Sequence, residues 1–229
     1  SITNSDRFLP RLMAEDFVKD STLTASSGTP EPIQNLTTYS RWTPTTDNPS
    51  IEIDFGSAKT IDYVALYATT TDSTITYTLS AYVSAAWVAI GSALSRADVG
   101  CVFWLFASVS ATKIKIEIAN SVTLQLPSIA VIKSGLSLQI PVGLPIGYEP
   151  SLFNPNEKMT NTVSVTGQIL GTQVESSRIN ESLTFDLLDP DFVNDDWMPV
   201  RAMMRDVGLF FAWNLADFPE HVEPVPAAP

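Results

Sequence analysis

Residues 50–56 read Ser-Ile-Glu-Ile-Asp-Phe-Gly, and the reading of this stretch decides the fold. Ile51, Ile53 and Phe55 alternate with Glu52 and Asp54, the period of a strand with one buried and one solvated face. Gly56, followed by Ser57 and Lys59, supplies a turn, because glycine takes positive φ without steric cost. Ile61-Asp62-Tyr63-Val64-Ala65-Leu66 then reads as a second strand. The expectation is an antiparallel strand pair inside a β-sandwich.

Working outward, the chain from about Thr38 to Lys133 reads as short strands every ten or so residues, parted by Thr/Ser/Asp/Gly turns. Of the 229 residues, 45% are apolar and 10% aromatic, ample for packed cores, and sixteen prolines favour a turn-rich β protein over a helical one. The longest nearly uncharged run, Val99 to Thr112, is too short and too often interrupted by Ser and Gly to be a membrane-spanning helix. No charged stretch followed by an apolar run opens the sequence, so no secretory signal is read there. Cys101 is the one cysteine and has no intrachain partner. Flanked by Val102, Phe103, Trp104 and Leu105, it reads as a buried structural thiol of a protein that folds in a reducing compartment.

Arg41-Trp42, Ile51 to Gly56, Ile61 and Val64, Trp87, Thr112-Lys113-Ile114-Lys115-Ile116-Glu117-Ile118 and Ile129-Ala130-Val131-Ile132 together resemble the discoidin, or coagulation-factor C-type, sandwich. The resemblance covers roughly residues 20 to 135. It departs from the extracellular animal members in having no terminal cysteine pair. It implies a galactose-binding-like jelly roll with Trp42 and Trp87 as core positions, and a sugar-binding activity on its loops. Tyr39, Thr70, Asp72 and Tyr82 are the ligand-binding candidates, since aromatic rings stack on sugar faces while loop polar groups fix the hydroxyls. Asp54 and Asp62 are where calcium would be sought in such a sandwich, although a hard-cation site needs six or more oxygens. No other metal and no cofactor is expected.

Residues 1–30 read as an N-terminal arm, with Phe8-Leu9-Pro10-Arg11-Leu12-Met13 as apolar anchors for a sheet edge of this subunit or a neighbour. Residues 31–135 form the sandwich. Residues 136–158, rich in Gly and Pro, form a linker that cannot hold regular structure for long. Residues 159–229 read as a second β domain with one short helix and an extended C-terminal tail. Within it, 162–166 and 182–187 alternate as strands. Asp189 and Pro190 open a helix whose Val193, Trp197, Val200 and Met204 share one face. Pro199 splits this element into a turn over 190–196 and a helix over about 198–206, ended by Gly208. Leu209-Phe210-Phe211-Ala212-Trp213 follows as a buried strand.

Gly167-Gln168-Ile169-Leu170-Gly171, Leu183-Thr184-Phe185-Asp186-Leu187-Leu188, Trp197-Met198-Pro199-Val200 and Phe210-Phe211-Ala212-Trp213-Asn214 with Phe218-Pro219 resemble the distal tail proteins of long-tailed bacteriophages. This second resemblance covers about 70 residues. It implies a structural, non-enzymatic virion protein, made in the bacterial host cytoplasm. Through the 159–229 domain its copies would form a homo-oligomeric ring, six-membered by that resemblance, between tail tube and tail hub. DNA would pass through without specific binding, and the sandwich would reach a host surface glycan.

The net charge of −12 is unevenly spread: residues 1–140 hold 12 acidic and 9 basic side chains, residues 141–229 hold 13 and 4. An acidic second half does not attract nucleic acid by counterion release, and suits a channel lining or a basic partner. Asp186, Asp191, Asp195 and Asp196 are the channel or interface candidates. Carboxylates at a helix start also complement the dipole and cap free N–H groups, the ordinary reading of this cluster. A glycosidase dyad among them is the weakest alternative. One histidine, His221 in a Pro-rich tail, and one cysteine exclude a His/Cys zinc site and leave a Ser-His-Asp triad without a rigid base. The rival to the tail-tip reading is a stand-alone carbohydrate-binding module.

Overall fold

The stretch that decides the fold forms one strand, not two. The computed structural model describes residues 9–35, 38–67, 69, 72–96, 101–120, 126–144, 156–163, 165–166, 168–178, 185, 188–215 and 222–225. In it β3 runs unbroken from Ser50 to Tyr67, beside an equally long β6, Val102–Asn120. Gly56 does take positive φ (73°), and its N–H donates to Asp54 Oδ1 at 2.8 Å. The expected reversal does not follow. Asp54 pairs with Lys113 and Lys59 with Ala111, so residues 55–58 stand opposite Thr112 alone. A bulge of this size bends a strand and raises its twist without turning it back.

That bend makes a sandwich from one ladder. Before it, β3 pairs with β2 (Thr22–Ala25) and with the 113–117 part of β6; β6 pairs onward with β4 (Asp72–Val83) and β4 with β5 (Ala86–Arg96). Beyond it, β3 pairs with the 102–111 part of β6 and with β7 (Val131–Gly135). Ile51, Ile53, Leu79, Ile114 and Ile116 from the first leaf meet Ile61, Val64, Leu66, Trp104 and Ile132 from the second in one buried cluster. Each such side chain contributes about 1.5–3 kcal/mol by leaving water. Trp42 is in this core, as the sequence predicts, bridged to Ile129 and donating from Nε1 to the Ser27 carbonyl at 2.9 Å.

The second leaf is buried on its other face too. Tyr63, Ala65, Cys101, Phe103 and Val131 pack there against Met13, Phe210, Ala212 and Leu215. This explains the near-continuous apolar run 63–66, since a strand covered on both faces loses the alternation. The covering layer is a four-stranded sheet, in order β12 (Val222–Val225), β11 (Leu209–Ala212), β1 (Arg11–Met13) and β8 (Leu138–Gln139). The N-terminal arm therefore serves two sheets of its own chain, through β1 and β2. The chain divides into two compact units, residues 1–143 with 188–229, and residues 144–187. The sequence reading groups 159–229 as one body; the pairing of β11 with β1 places 188–229 with the sandwich. Unit 144–187 holds the hairpin β9 (Asn156–Val163) and β10 (Ile169–Arg178). The strand expected over 182–187 falls almost wholly outside the described residues.

Pro199 sits in the first turn of α1, Met198–Val207, where its missing N–H is harmless. Residues 192–197 ahead of it form a wider π-type turn, the accommodation that a proline imposes on the turn before it. Val193, Trp197, Val200 and Met204 are half-buried while Asp191, Asn194, Asp195 and Asp196 are exposed, so the expected apolar stripe is the packed face.

A strap over 10–17 ties these layers together. Phe17 N–H donates to Ser134 O (2.8 Å) and Ile140 N–H to Pro10 O (2.9 Å). The Tyr63 hydroxyl donates to the Glu15 carbonyl, and Leu136 N–H to Glu15 Oε2 at 2.7 Å. A Cβ on Gly135 would stand 2.7 Å from the Glu15 carbonyl oxygen, so only glycine lets the strap lie this close. Lys133, fully buried, donates from Nζ to the Gly208 carbonyl at 2.9 Å, at the end of α1. Burial pushes Asp16 up to about 6 and Lys133 down to about 8, the charge of each opposing the shift in the other.

Two backbone positions predict opposite effects. Gly56→Ala keeps open space around the new methyl but strains φ, and should cost about 1 kcal/mol in urea unfolding. Ser84 and Ala85 both have positive φ in the two-residue turn joining β4 to β5, so Ala85→Gly should stabilise by about 0.5 kcal/mol. A third prediction concerns pH. Asp16 is raised on folding, so its contribution is full below about pH 4 and lost as pH rises through about 6. The urea midpoint of Asp16→Asn should therefore change less between pH 7 and pH 5 than that of the parent chain; an equal change in both would show that Asp16 does not titrate as described.

Candidate functional site

The solvent face of the first leaf carries the most organised array of polar and aromatic side chains among the described residues. Alternation fixes it. In β6, Ile114, Ile116 and Ile118 point into the core, so Lys113, Lys115 and Glu117 point out. The same parity turns Glu52 and Asp54 of β3, and Thr78, Ser80 and Tyr82 of β4, to this face. Register then sets Asp54, Lys113, Tyr82 and Trp87 in one cross-strand row, and Glu52, Lys115, Ser80 and Ala89 in the next.

Lys113 Nζ lies 2.8 Å from Glu52 Oε1 and 3.1 Å from Asp54 Oδ2, bridging the two rows. Lys115 Nζ lies 3.1 Å from Glu117 Oε1 and 5.2 Å from the centroid of the Trp87 ring. Tyr82 meets Trp87 edge to face, with ring centroids 5.2 Å apart. The Gly56 N–H, then Lys113, hold Asp54 below the usual carboxylate range; hydrogen bonds to Glu52 and Asp54 raise Lys113. Exposed pairs like these add little stability. They do hold donors, acceptors and an indole in a fixed pattern, since Lys113, Lys115, Tyr82 and Trp87 each touch a side chain of another strand and Glu117 pairs with Lys115 of its own.

Trp87 is 38% exposed, which corrects its expected place in the core. The reason is positional: β5 ends the leaf, and Trp87 pairs with Tyr82, whose side chain is on the outer face. Of the four ligand-binding candidates, only Tyr82 belongs to this array. Tyr39 is 89% exposed, three residues from the buried Trp42, which bridges to Ile129 beside the Ala130 N–H bond to the Tyr67 carbonyl, at the end where β3 stops. Asp72 opens β4 opposite Arg96. Thr70 lies outside the described residues. Sequence thus assigned to one site residues that stand at opposite ends of β4. The Lys-Ile-Lys-Ile-Glu-Ile alternation over 113–118 was the signal for the outer array; its partners in register needed the structure.

Of the acidic candidates, Asp186 lies outside the described residues. Asp191, Asp195 and Asp196 are exposed on the helical turn before α1, where Asp189 Oδ1 accepts the Asp191 N–H at 3.0 Å. Asp54 and Asp62 are not brought together as a cation site: Asp54 faces Lys113, and Asp62 accepts from Ser137 through both carboxylate oxygens, at 2.7 and 2.8 Å. No cluster of three or more His, Cys, Asp or Glu suited to a metal occurs among the described residues.

No protein-family model matches this chain, and no curated protein matches it. Solved structures do. Chitosan-binding module 1, derived from a chitosanase/glucanase of Paenibacillus sp. IK-5, is 16% identical over 52% of this chain and 98% of that one, with a TM-score of 0.46. Chitosan-binding module 2 from the same enzyme, in complex with chitotriose, is 14% identical over 52% and 99%, TM-score 0.46. A Ruminococcus gnavus GH29 fucosidase in complex with fucose is 15% identical, TM-score 0.46, over 54% of this chain and 27% of the enzyme. The likeness is of general β architecture and assigns no residue.

The site predicts that Trp87 contributes little to folding. Trp87→Ala should lower the urea-unfolding free energy by no more than about 1 kcal/mol, the scale of one lost aromatic pair; a cost of about 3 kcal/mol or more would make Trp87 a core residue after all.

Proposed function

We propose that the chain is a non-catalytic carbohydrate-binding module whose glycan surface is the outer face around Tyr82 and Trp87. The observation that carries this reading is the exposed, braced indole of Trp87 beside the Lys113–Glu52–Asp54 and Lys115–Glu117 groups. A pyranose lays its C–H face on an indole and offers hydroxyls to flanking polar groups, which requires an aromatic plane and charged side chains fixed within one sugar length of each other. The row from Asp54 to Trp87 spans four strands, roughly 15 Å at about 4.8 Å between strands, the length of a tri- or tetrasaccharide.

Affinity electrophoresis against chitosan and against galactose-, N-acetylgalactosamine- and fucose-bearing polysaccharides tests it. One or more should retard the chain, and Trp87→Ala should weaken that binding at least tenfold, about 1.4 kcal/mol. Absence of retardation by all of them, or retardation indifferent to Trp87→Ala, would refute the assignment.

A second reading keeps the tail-tip role, with a six-membered ring, tube and hub partners and a virion location. What favours it is that α1 and the aromatic strand β11 occur in the order the resemblance implies. Particle-bound or hexameric protein would support it; the glycan reading requires neither.

A further inference from the structure

We propose that the free edge of β5 is a dimerisation surface, closed by the same edge of a second copy of this chain. Among the described residues, the main path of the six-stranded sheet ends at β2 and at β5, with the five-residue β7 paired to β3 off that path. The β2 margin is four residues long, too short to recruit another strand. The β5 margin is eleven residues long, and from Ala86 to Ser95 it has no charge and no proline. Over Ala86–Ile90 such an edge presents unpaired N–H and C=O groups with no charge, proline or bulge to protect them.

Both faces of the margin are incompletely covered. Trp87 and Ala89 are exposed on the outer face. Val88 stands opposite the buried Ala81, and so points to the core side, yet it is 47% exposed, no strand among the described residues flanking it. The regular stretch is Ala86–Ile90. Beyond it Gly91, at φ 66°, starts a bulge in which Ser92 O accepts from Trp104 Nε1 at 3.0 Å, and pairing with β4 resumes at Leu94. Five regular residues therefore set the register of any added strand.

The occupant follows from charge. Copies of a chain with net charge −12 repel one another, so association favours a surface where no like charges meet. In an antiparallel self-pair the central residue faces its own symmetry mate and the others face the residue equidistant on its far side, so like charges on a short paired stretch are brought within a few ångströms of each other. Ala-Trp-Val-Ala-Ile carries none. Pairing about Val88 sets Val88 against Val88, and Trp87 against Ala89, of the two copies. Antiparallel pairing through a two-fold perpendicular to the sheet keeps outer faces on the same side, so the two Tyr82–Trp87 pairs lie roughly 10 Å apart on one continuous surface. The value of that arrangement for a polymeric glycan, as avidity, rests on the function proposed above; the dimer does not.

Sedimentation of the full chain without glycan, from 1 to 200 μM, reads the dimer directly. The expected mass rises from 24.9 kDa towards twice that value, and Val88→Lys raises the dimer dissociation constant at least tenfold. Ala89→Lys, on the opposite face of the same strand, should act alike; because both positions are exposed, urea unfolding of each variant should match the parent chain at concentrations where the parent is monomeric. Amide hydrogen exchange at 86–90 should slow with concentration. A monomer throughout the range overturns the proposal, as does an oligomer indifferent to both substitutions. A monomer with slow exchange at 86–90 also overturns it, by assigning the edge to another segment of the same chain. Failure of glycan binding alone leaves the sedimentation result standing.

Discussion

The bend shared by β3 and β6 is the constraint on which everything else rests. Two strands long enough to cross the molecule twice must turn a corner without breaking their hydrogen-bonded ladder. The bulge over 55–58, with Gly56 in the left-handed region and Asp54 capping its N–H, does this at the cost of four residues facing one. Because the ladder is continuous, the position of each leaf is set by the other. The inward parity of Ile51 and Ile53 before the bend, and of Ile61 and Val64 after it, fills one core from both sides. A one-residue slip anywhere along this ladder would turn isoleucines outward and lysines inward, an error too expensive to persist.

Burying the second leaf on both faces creates the need for a third layer, and the ends of the chain meet it. β1 lies between β8 and β11, so segments about 70 to 200 residues apart in sequence close one small sheet. Strands of two to four residues have little stability of their own. The strap over 10–17 and the Lys133 bond to Gly208 supply what the short ladders lack, at the expense of burying charge. Asp16, Asp62 and Glu15 are all raised by desolvation and Lys133 is lowered, the mark of groups held in place against their solvation preference. This is a mechanical role, remote in the fold from the outer face where Trp87 stands.

The β class and the core of the sandwich were legible because alternation is local. Ile51/Ile53 and Ile114/Ile116/Ile118 announce their faces, and Trp42 and Cys101 are buried as expected. What the sequence could not show was long-range. Gly56 looks the same in a hairpin turn and in a corner; only the length of β6 on the partner side tells them apart. The Leu209–Ala212 strand looked like part of a separate domain because its partner, Arg11–Met13, lies some 200 residues away. The discoidin resemblance puts Trp87 in the core, whereas its exposure follows from the position of β5 at the margin of the sheet. Grouping Tyr82 with Tyr39 and Asp72 failed for a similar reason: residues ten apart on a strand stand roughly 33 Å apart.

Amide chemical-shift mapping during titration with chitotriose, or with whichever oligosaccharide is bound most tightly, tests the central claim most directly. The account predicts the largest shifts at Tyr82, Trp87, Lys113 and Lys115, with small ones around Tyr39 and Asp72. Shifts concentrated at Tyr39 and Asp72 instead would place the glycan at the end of the sandwich and contradict the assignment of the outer face.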